Sequence, residues 1–358
     1  MNWRAEISVK ALGEVVGLLA AGSLGGFVAL WIGLPMPFLL GALTTTAIYA
    51  IVTFERSARE AFFPPALRAS FVAIIGAMIG AGFSPDVLEI LPDLWISILA
   101  LVGFTVLAQV MGYGIMRRVG RYDPPTALFA AMPGGLYEAI EFAEKAGSDP
   151  KVMTVQHFAR IVVVVVSVPF LFYLWTGEIV GSAAGEEING SSVELWDVLG
   201  LVAIGLIGRP LGIWLRIPAS SITGSILLSA ILHGTGVIDF AVPAWLMAVA
   251  QLVVGVGLGA QFSGARLPVL AKAFGLSIVM VGSMLLLAIS VAWGVHFQTP
   301  LGTDALFISL APGGITEMGL IALSLSVSPV VVAAHHLIRI FIVVSFVQLL
   351  GRLLGILR

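Results

Sequence analysis

Two apolar stretches of this chain, 124–147 and 303–327, are interrupted near the middle by the same triplet, Pro133-Gly134-Gly135 and Pro312-Gly313-Gly314. A helix does not run through that triplet without strain. Proline removes a backbone donor and clashes with the preceding turn, and glycine gives up the most conformational freedom. Each arm is about ten residues, about 15 Å as helix, which is half of a hydrocarbon core about 30 Å thick. The rest of the chain holds about ten long apolar segments of the length a membrane span needs, near 12–33, 36–54, 66–84, 92–116, 152–174, 196–216, 218–235, 243–262, 268–296 and 331–351. Hydrophobic residues make up 59% of the 358 positions and charged residues 11%, against about 25% charged in soluble domains. That excludes a soluble enzyme, a disordered scaffold and a nucleic-acid binder, and makes the lipid bilayer the chain's partner. The chain has no cysteine, hence no disulfide and no thiolate metal site or nucleophile.

Charge placement decides whether the interrupted stretches cross the membrane or turn back. With a cytoplasmic N-terminus and both stretches re-entrant, sixteen of the eighteen Lys and Arg residues fall on the cytoplasmic side, including Arg56, Arg59, Arg68, Arg117, Arg118, Arg121, Lys145, Lys151, Arg266 and Lys272. If both stretches cross, the split is ten to six. The excess of positive charge on cytoplasmic loops favours re-entrance. Tryptophans 31, 95, 175, 196, 214, 245 and 293 fall near span ends, as an interfacial belt requires.

The two basic residues left over, Arg160 and Arg339, are 179 positions apart, and so are both triplets, Glu138 and Glu317, and His157 and His336. Near the start of each half the offset becomes 183, pairing Trp31, Pro35 and Gly41 with Trp214, Pro218 and Gly224. The chain reads as a tandem duplication. Five spans and one hairpin per copy make the second copy enter from the opposite side. The expected fold is therefore an all-α polytopic membrane protein: an inverted-topology repeat of five transmembrane helices plus one re-entrant hairpin each, ten spans and two hairpins. Residues 1–175 form repeat 1 with its hairpin at 124–147, residues 176–195 a periplasmic linker, and residues 196–358 repeat 2 with its hairpin at 303–327. In such folds the site lies at the midplane, where broken helices meet. The glycine rows Gly76/Gly80 and Gly255/Gly259 are expected to let spans press against the hairpins.

Arg160 and Arg339 fall at mid-bilayer, where a charge is normally paired or faces a cavity. Their expected partners are Glu138 and Glu317, each in the first turn of a half-helix whose positive end favours an anion. Two accounts fit: the arginines are fixed counter-ions of the glutamates, or they take a substrate anion while a glutamate or histidine carries a coupling proton. His157 and His336 lie three residues before the arginines on the same face, as core donors or proton carriers. Gln156 and His335 precede them as polar lining. Gly134, Gly135, Gly313 and Gly314 form the tips, with Tyr137 and Thr316 beside them. Glu141, Glu144 and Asp304 read as solvated or vestibule residues. No catalytic or metal-ligand set and no cofactor motif stands out.

The duplicated Pro-Gly-Gly-x-x-Glu, followed about twenty residues later by His-x-x-Arg, resembles the AbrB family of bacterial membrane proteins, also labelled ammonia monooxygenases and unrelated to the soluble regulator of the same name. The resemblance covers nearly the whole chain and implies a duplicated, multi-pass protein of the bacterial inner membrane. The monooxygenase label finds no support in five histidines with His335–His336 as the one adjacent pair. The architecture also resembles, at the level of fold alone, citrate and glutamate carriers that work as elevator-type homodimers. The expectation is a secondary active transporter, not an enzyme, for a small anionic organic solute coupled to protons or sodium, with both termini cytoplasmic. The alternatives are a membrane regulator or sensor on a transporter-like fold, and a membrane metalloenzyme.

Overall fold

The computed structural model describes residues 9–57, 60–83, 91–177, 193–325 and 327–357. The expected periplasmic linker and the chain ends lie largely outside these residues. The described residues form fourteen α-helices and one short 3-10 turn. In chain order the helices are α1 (Val9–Trp31), α2 (Pro37–Ser57), α3 (Pro65–Ala81), α4 (Trp95–Arg118), α5 (Pro124–Ala130), α6 (Leu136–Lys145) and α7 (Pro150–Thr176). Then follow α8 (Leu195–Trp214), α9 (Ser220–Gly234), α10 (Ala244–Ala260), α11 (Leu267–His296), α12 (Thr303–Leu310), α13 (Ile315–Ser324) and α14 (Pro329–Leu353).

Local chemistry sets where these helices start. Proline stands in the first turn of α3, α5, α11 and α14, where its missing N–H costs nothing. Asp123 caps α5 by accepting from the Thr126 N–H at 3.2 Å, and Ser328 caps α14 through the Val331 N–H at 3.5 Å. Glu194 and Asp197 form a reciprocal capping box on α8.

Seven helices are long and apolar enough to cross a membrane: α1, α2, α4, α7, α8, α11 and α14. Their outer faces carry bare aliphatic side chains such as Leu24, Leu99 and Leu286, each more than 60% exposed. Trp31, Trp95, Trp175, Trp196, Trp214, Trp245 and Trp293 are all exposed near helix ends. A chain with this surface is a multi-pass membrane protein. Ten full-length spans were expected, and three of them are shorter than expected. α3, α9 and α10 have 17, 15 and 17 residues, about 22–26 Å of helix. The helices end at Ala81, Gly234 and Ala260, and the one after Pro218-Ala219 begins only at Ser220, so each apolar run exceeds its helix by two or three residues.

The packing divides the helices into two bodies. In the first, α1 lies on α2, α2 on α10, α8 on α9 and α9 on α3, with α3 and α10 in contact. Glycines set these approaches. Gly25 meets the Gly41 backbone between α1 and α2, and 183 positions on, Gly208 and Gly224 meet between α8 and α9. A Cβ at Gly76 would lie 2.6 Å from the Ile222 carbonyl oxygen of α9, and one at Gly255 would lie 2.6 Å from the Leu39 carbonyl oxygen of α2. The glycine rows therefore press on α9 and α2, not on the hairpins as expected. The rows serve close helix approach, but a row of small residues does not specify its partner.

In the second body, α11 packs on α4 and α7, and α14 packs on α4. The interrupted stretches appear as two helix pairs, α5–α6 and α12–α13, held against α7 and α14. Their arms have seven to ten residues, so each reaches about 10–15 Å. The two bodies touch where α13 and α14 meet α3.

Candidate functional site

Each break leaves helix-end carbonyls without the amide donors that a continuing helix would supply. The protein meets this with a guanidinium from the following long helix. Arg160 of α7 donates through Nη1 to the Met132 carbonyl. Arg339 of α14 donates through the same nitrogen to the Ala311 carbonyl, 179 positions on, and to the Leu310 carbonyl at 3.5 Å. Its second nitrogen reaches the Gly313 carbonyl and His336 Nδ1. Both arginines are buried, 3% and 1% exposed. A positive group at the negative end of a half-helix is electrostatically favourable, and the forked guanidinium serves several acceptors at once.

Glu138 and Glu317 were expected as partners of Arg160 and Arg339, and among the described residues neither arginine has a carboxylate within 4 Å. Arg339 engages backbone carbonyls and His336. The Glu317 carboxylate folds back over Gly314, and among the described residues no arginine nitrogen lies within 4 Å of it. Among the described residues the salt bridge within 4 Å joins Lys145 and Glu141 on the surface of α6, at 2.5 Å with both side chains about 60% exposed. The side chains of Tyr137 and Glu138 lie outside the described residues. Their backbone occupies the first turn of α6.

The tips meet. A Cβ on Gly134 would sit 3.8 Å from Arg339 Nε, so the arginine that caps the second break borders the first. Arg160 in turn lies within electrostatic reach of Arg339 and Glu317. The glycines at the two tips have different reasons. Gly135 adopts φ 68°, ψ 54°, the left-handed region where glycine has no Cβ penalty. Gly314 is extended, and its Cα is covered by the Glu317 carboxylate, which folds back over the start of α13. A Cβ at Gly313 would lie 2.7 Å from Met318 Cε. Thr316 is half-buried beside the tip.

The two equivalent histidines differ in their engagement. His336 accepts from Arg339 at Nδ1, so its proton is on Nε2, which faces the Ile308 carbonyl at 3.1 Å. His157 is fully buried and faces the equivalent carbonyl, that of Phe129, without a hydrogen bond of normal geometry. Gln156 and His335, expected to line the site, reach the neighbouring long helices instead. Gln156 Nε2 donates to Ser277 Oγ of α11 at 2.9 Å and to the Ala273 carbonyl at 3.3 Å. His335 Nε2 lies 2.9 Å from Ser97 Oγ of α4, and its Nδ1 lies 2.8 Å from the Val331 carbonyl. In the α4–α5 loop, Tyr122 donates to Gln156 Oε1 at 3.3 Å, with the Lys272 ammonium 4.2 Å from its ring centre. Burial raises the Tyr122 phenol above its ordinary pKa. No three His, Asp or Glu side chains converge among the described residues.

Arg68 was expected among the cytoplasmic charges, and its close packing was not. It lies in the first turn of α3, and its stem runs over Gly257 of α10, where a Cβ would come within 2.8 Å of Arg68 Cδ. The available signal was Gly257 itself. It is two positions from Gly255 and Gly259, on the other side of the helix, so close packing on α2 does not explain it.

Together these observations define a polytopic helical membrane protein whose two broken helices meet at a buried cluster of arginines and a glutamate. The profile of the AbrB family, described as "Transition state regulatory protein AbrB", matches residues 47–355, and the chain belongs to that family. It is similar to YhjN, an uncharacterized protein of Bacillus subtilis (strain 168), at 26% identity over 364 residues covering 94% of this chain and 92% of that protein. It is also similar to AbrB of Escherichia coli (strain K12), whose name proposes a regulator, at 21% identity over 318 residues covering 88% of each.

Proposed function

We propose that this protein is a secondary active transporter for a small anionic organic solute, driven by a proton or sodium gradient across the bacterial inner membrane. On this reading the two halves are an inverted-topology repeat, both termini are cytoplasmic, and α5–α6 and α12–α13 are re-entrant hairpins entering from opposite faces. The first body is the scaffold. The second carries the site and moves against it along the α3 contact, in the manner of an elevator, with a homodimer as the expected assembly by the same analogy. The observation that carries the reading is the meeting of the breaks, with Arg339 of one repeat beside Gly134 of the other. Irregular backbone at that depth is stable where protein covers it or where it lines a site.

The arrangement supports an anionic cargo because two guanidiniums and the N-terminal turn of α13 converge there. Reconstitution tests it. In proteoliposomes, labelled lactate, succinate or citrate is expected to accumulate under an imposed proton or sodium gradient and to stop accumulating when the gradient is collapsed. Uptake that ignores both gradients contradicts coupled transport. Equal gradient-driven uptake by wild type and Glu317→Gln removes the glutamate from the mechanism.

A second reading is favoured by the name of the Escherichia coli relative: a membrane sensor that binds a solute without moving it. It predicts saturable binding to purified protein with no counterflow in vesicles, whereas the carrier predicts both.

A further inference from the structure

Three of the four tip glycines have a reason in the fold. Gly135 is left-handed. A Cβ at Gly313 would run into Met318, and one at Gly314 into the Glu317 carboxylate. Gly134 has neither reason. Its φ is not positive. Among the described residues, the atoms nearest to a Cβ there would be Arg339 Nε at 3.8 Å and Ile340 Cγ1 at 4.0 Å, both ordinary van der Waals contacts. Among these residues, the place over its Cα is wide enough for a methyl group. It is bordered by a donor without an acceptor. Arg339 is 1% exposed. Its terminal nitrogens serve the Leu310, Ala311 and Gly313 carbonyls and His336, while its Nε has no hydrogen-bond partner. A buried N–H left unpaired is costly, and a buried charge is normally matched by an opposite one. Among the described residues no carboxylate lies within 4 Å of this guanidinium.

The duplication shows why the place is open at one break and shut at the other. Met318, which fills the place over Gly313, corresponds 179 positions earlier to Ala139. Ala139 is fully buried, and its side chain stops at Cβ. The first break therefore lacks the plug that the second one has.

We propose that the place between Gly134, Ile340 and Arg339 Nε is the anchoring subsite for the solute, in which one oxygen of its carboxylate accepts from the Nε–H. The inference rests on the carrier reading above and narrows the cargo. A single charged donor beside an aliphatic wall suits one anionic oxygen with a small alkyl neighbour. A phosphate or sulfate brings more oxygens than this place can serve, and each one left unpaired is penalised. The class is therefore a short-chain carboxylate. Arg339 has two tasks on this reading: its terminal nitrogens hold the second break, and its Nε holds the solute at the first. Gly134 and Ala139 are specificity residues that keep the subsite open.

Acetate, the smallest alkyl carboxylate, is the probe. In the purified protein it is expected to raise the melting temperature of wild type saturably, relative to chloride at equal ionic strength, as a ligand of the folded state does. Gly134→Ala should melt with wild type in chloride and lose the acetate rise, because its methyl group takes the place of the oxygen. No rise in wild type overturns the inference, and so does an equal rise in Gly134→Ala. A Gly134→Ala protein that fails to fold, or melts in chloride as low as Gly224→Ala, also overturns it, since the glycine would then serve packing. Ala139→Met carries the plug of the second break into the first and should lose the rise while keeping Gly134. A full rise in that variant overturns the inference, and Gly134→Ala decides alone if Ala139→Met does not fold. No acetate rise alongside gradient-driven uptake of labelled lactate removes the subsite and leaves the carrier. A rise that Gly134→Ala abolishes, in a protein without lactate counterflow, leaves the subsite and removes the carrier.

Discussion

The two bodies hold themselves together by opposite chemistry. In the first, glycines bring helix backbones into direct contact, as at Gly25–Gly41 and Gly208–Gly224. In the second, long polar side chains bridge gaps that the chain itself opens, as Arg339 does at the second break. Backbone contact tolerates almost no displacement, since half an ångström on a tightly packed face already forfeits much of the attraction. A guanidinium on a four-bond stem can keep its acceptors through small shifts. On the carrier reading proposed above, the glycine-packed body is the part expected to stay fixed and the arginine-capped one the part expected to move.

The largest expected effect is at the arginine-capped body. Arg339→Ala leaves the Leu310 and Gly313 carbonyls without the arginine donor and Ala311 with the Gly313 N–H alone, and each buried carbonyl so stranded costs about 1–3 kcal/mol. A loss of about 3–5 kcal/mol is expected in thermal or denaturant melts of the purified protein. Arg339→Lys recovers only part, because an ammonium has no planar fork to span separated carbonyls. Full stability in Arg339→Ala would mean the break does not need its cap.

The glycine-packed body gives the next effect. A Cβ at Gly224 would lie 2.7 Å from the backbone Cα and N of Gly212. Gly224→Ala should therefore cost about 1–3 kcal/mol through overpacking. Gly282→Ala is the control: no heavy atom lies within 4 Å of the position its Cβ would take, and the change should stay within about 0.5 kcal/mol. Similar losses in the two variants would erase the distinction between the bodies.

How far the sequence could be read follows the same line. The breaks, the buried arginines and the 179-residue offset were legible because proline, glycine and charge stand out against an apolar background. The neighbours were not. Periodicity tells which face of α7 carries Gln156 but not that α11 offers Ser277 to it, nor that His335 turns to Ser97. The approach of Arg339 to Gly134 joins positions from the two halves of the chain, and nothing in the spacing of either motif announces it. The arginine–carbonyl contacts were hidden for a different reason: backbone acceptors have no letter in the sequence. The shortness of α9 was masked because Pro218 and Ala219 continue its apolar run while the helix begins at Ser220.

Smaller effects sharpen the picture at the Tyr122 end of the second body. Gln156→Ala removes the donor that ties α7 to Ser277 and Ala273 of α11, and should cost about 1 kcal/mol in the same melts. Tyr122→Phe is expected to act through pH. Burial raises the phenol's pKa in the folded state, so its contribution is fully present below the ordinary tyrosine pKa of about 10 and is lost as pH rises through the higher folded value. Wild type should therefore lose more stability than Tyr122→Phe on the alkaline limb of a stability profile. Parallel alkaline limbs would place Tyr122 in contact with solvent.

The central claim is that two half-length helix pairs enter from opposite faces of the membrane and meet at their tips. The chain has no cysteine of its own, so single cysteines report without background. Glu144 near the base of the first pair and Gln298 near the base of the second are both exposed. In intact cells, a membrane-impermeant maleimide is expected to label Gln298→Cys from outside and to reach Glu144→Cys only after the membrane is opened. Labelling of both from the same side would contradict the account.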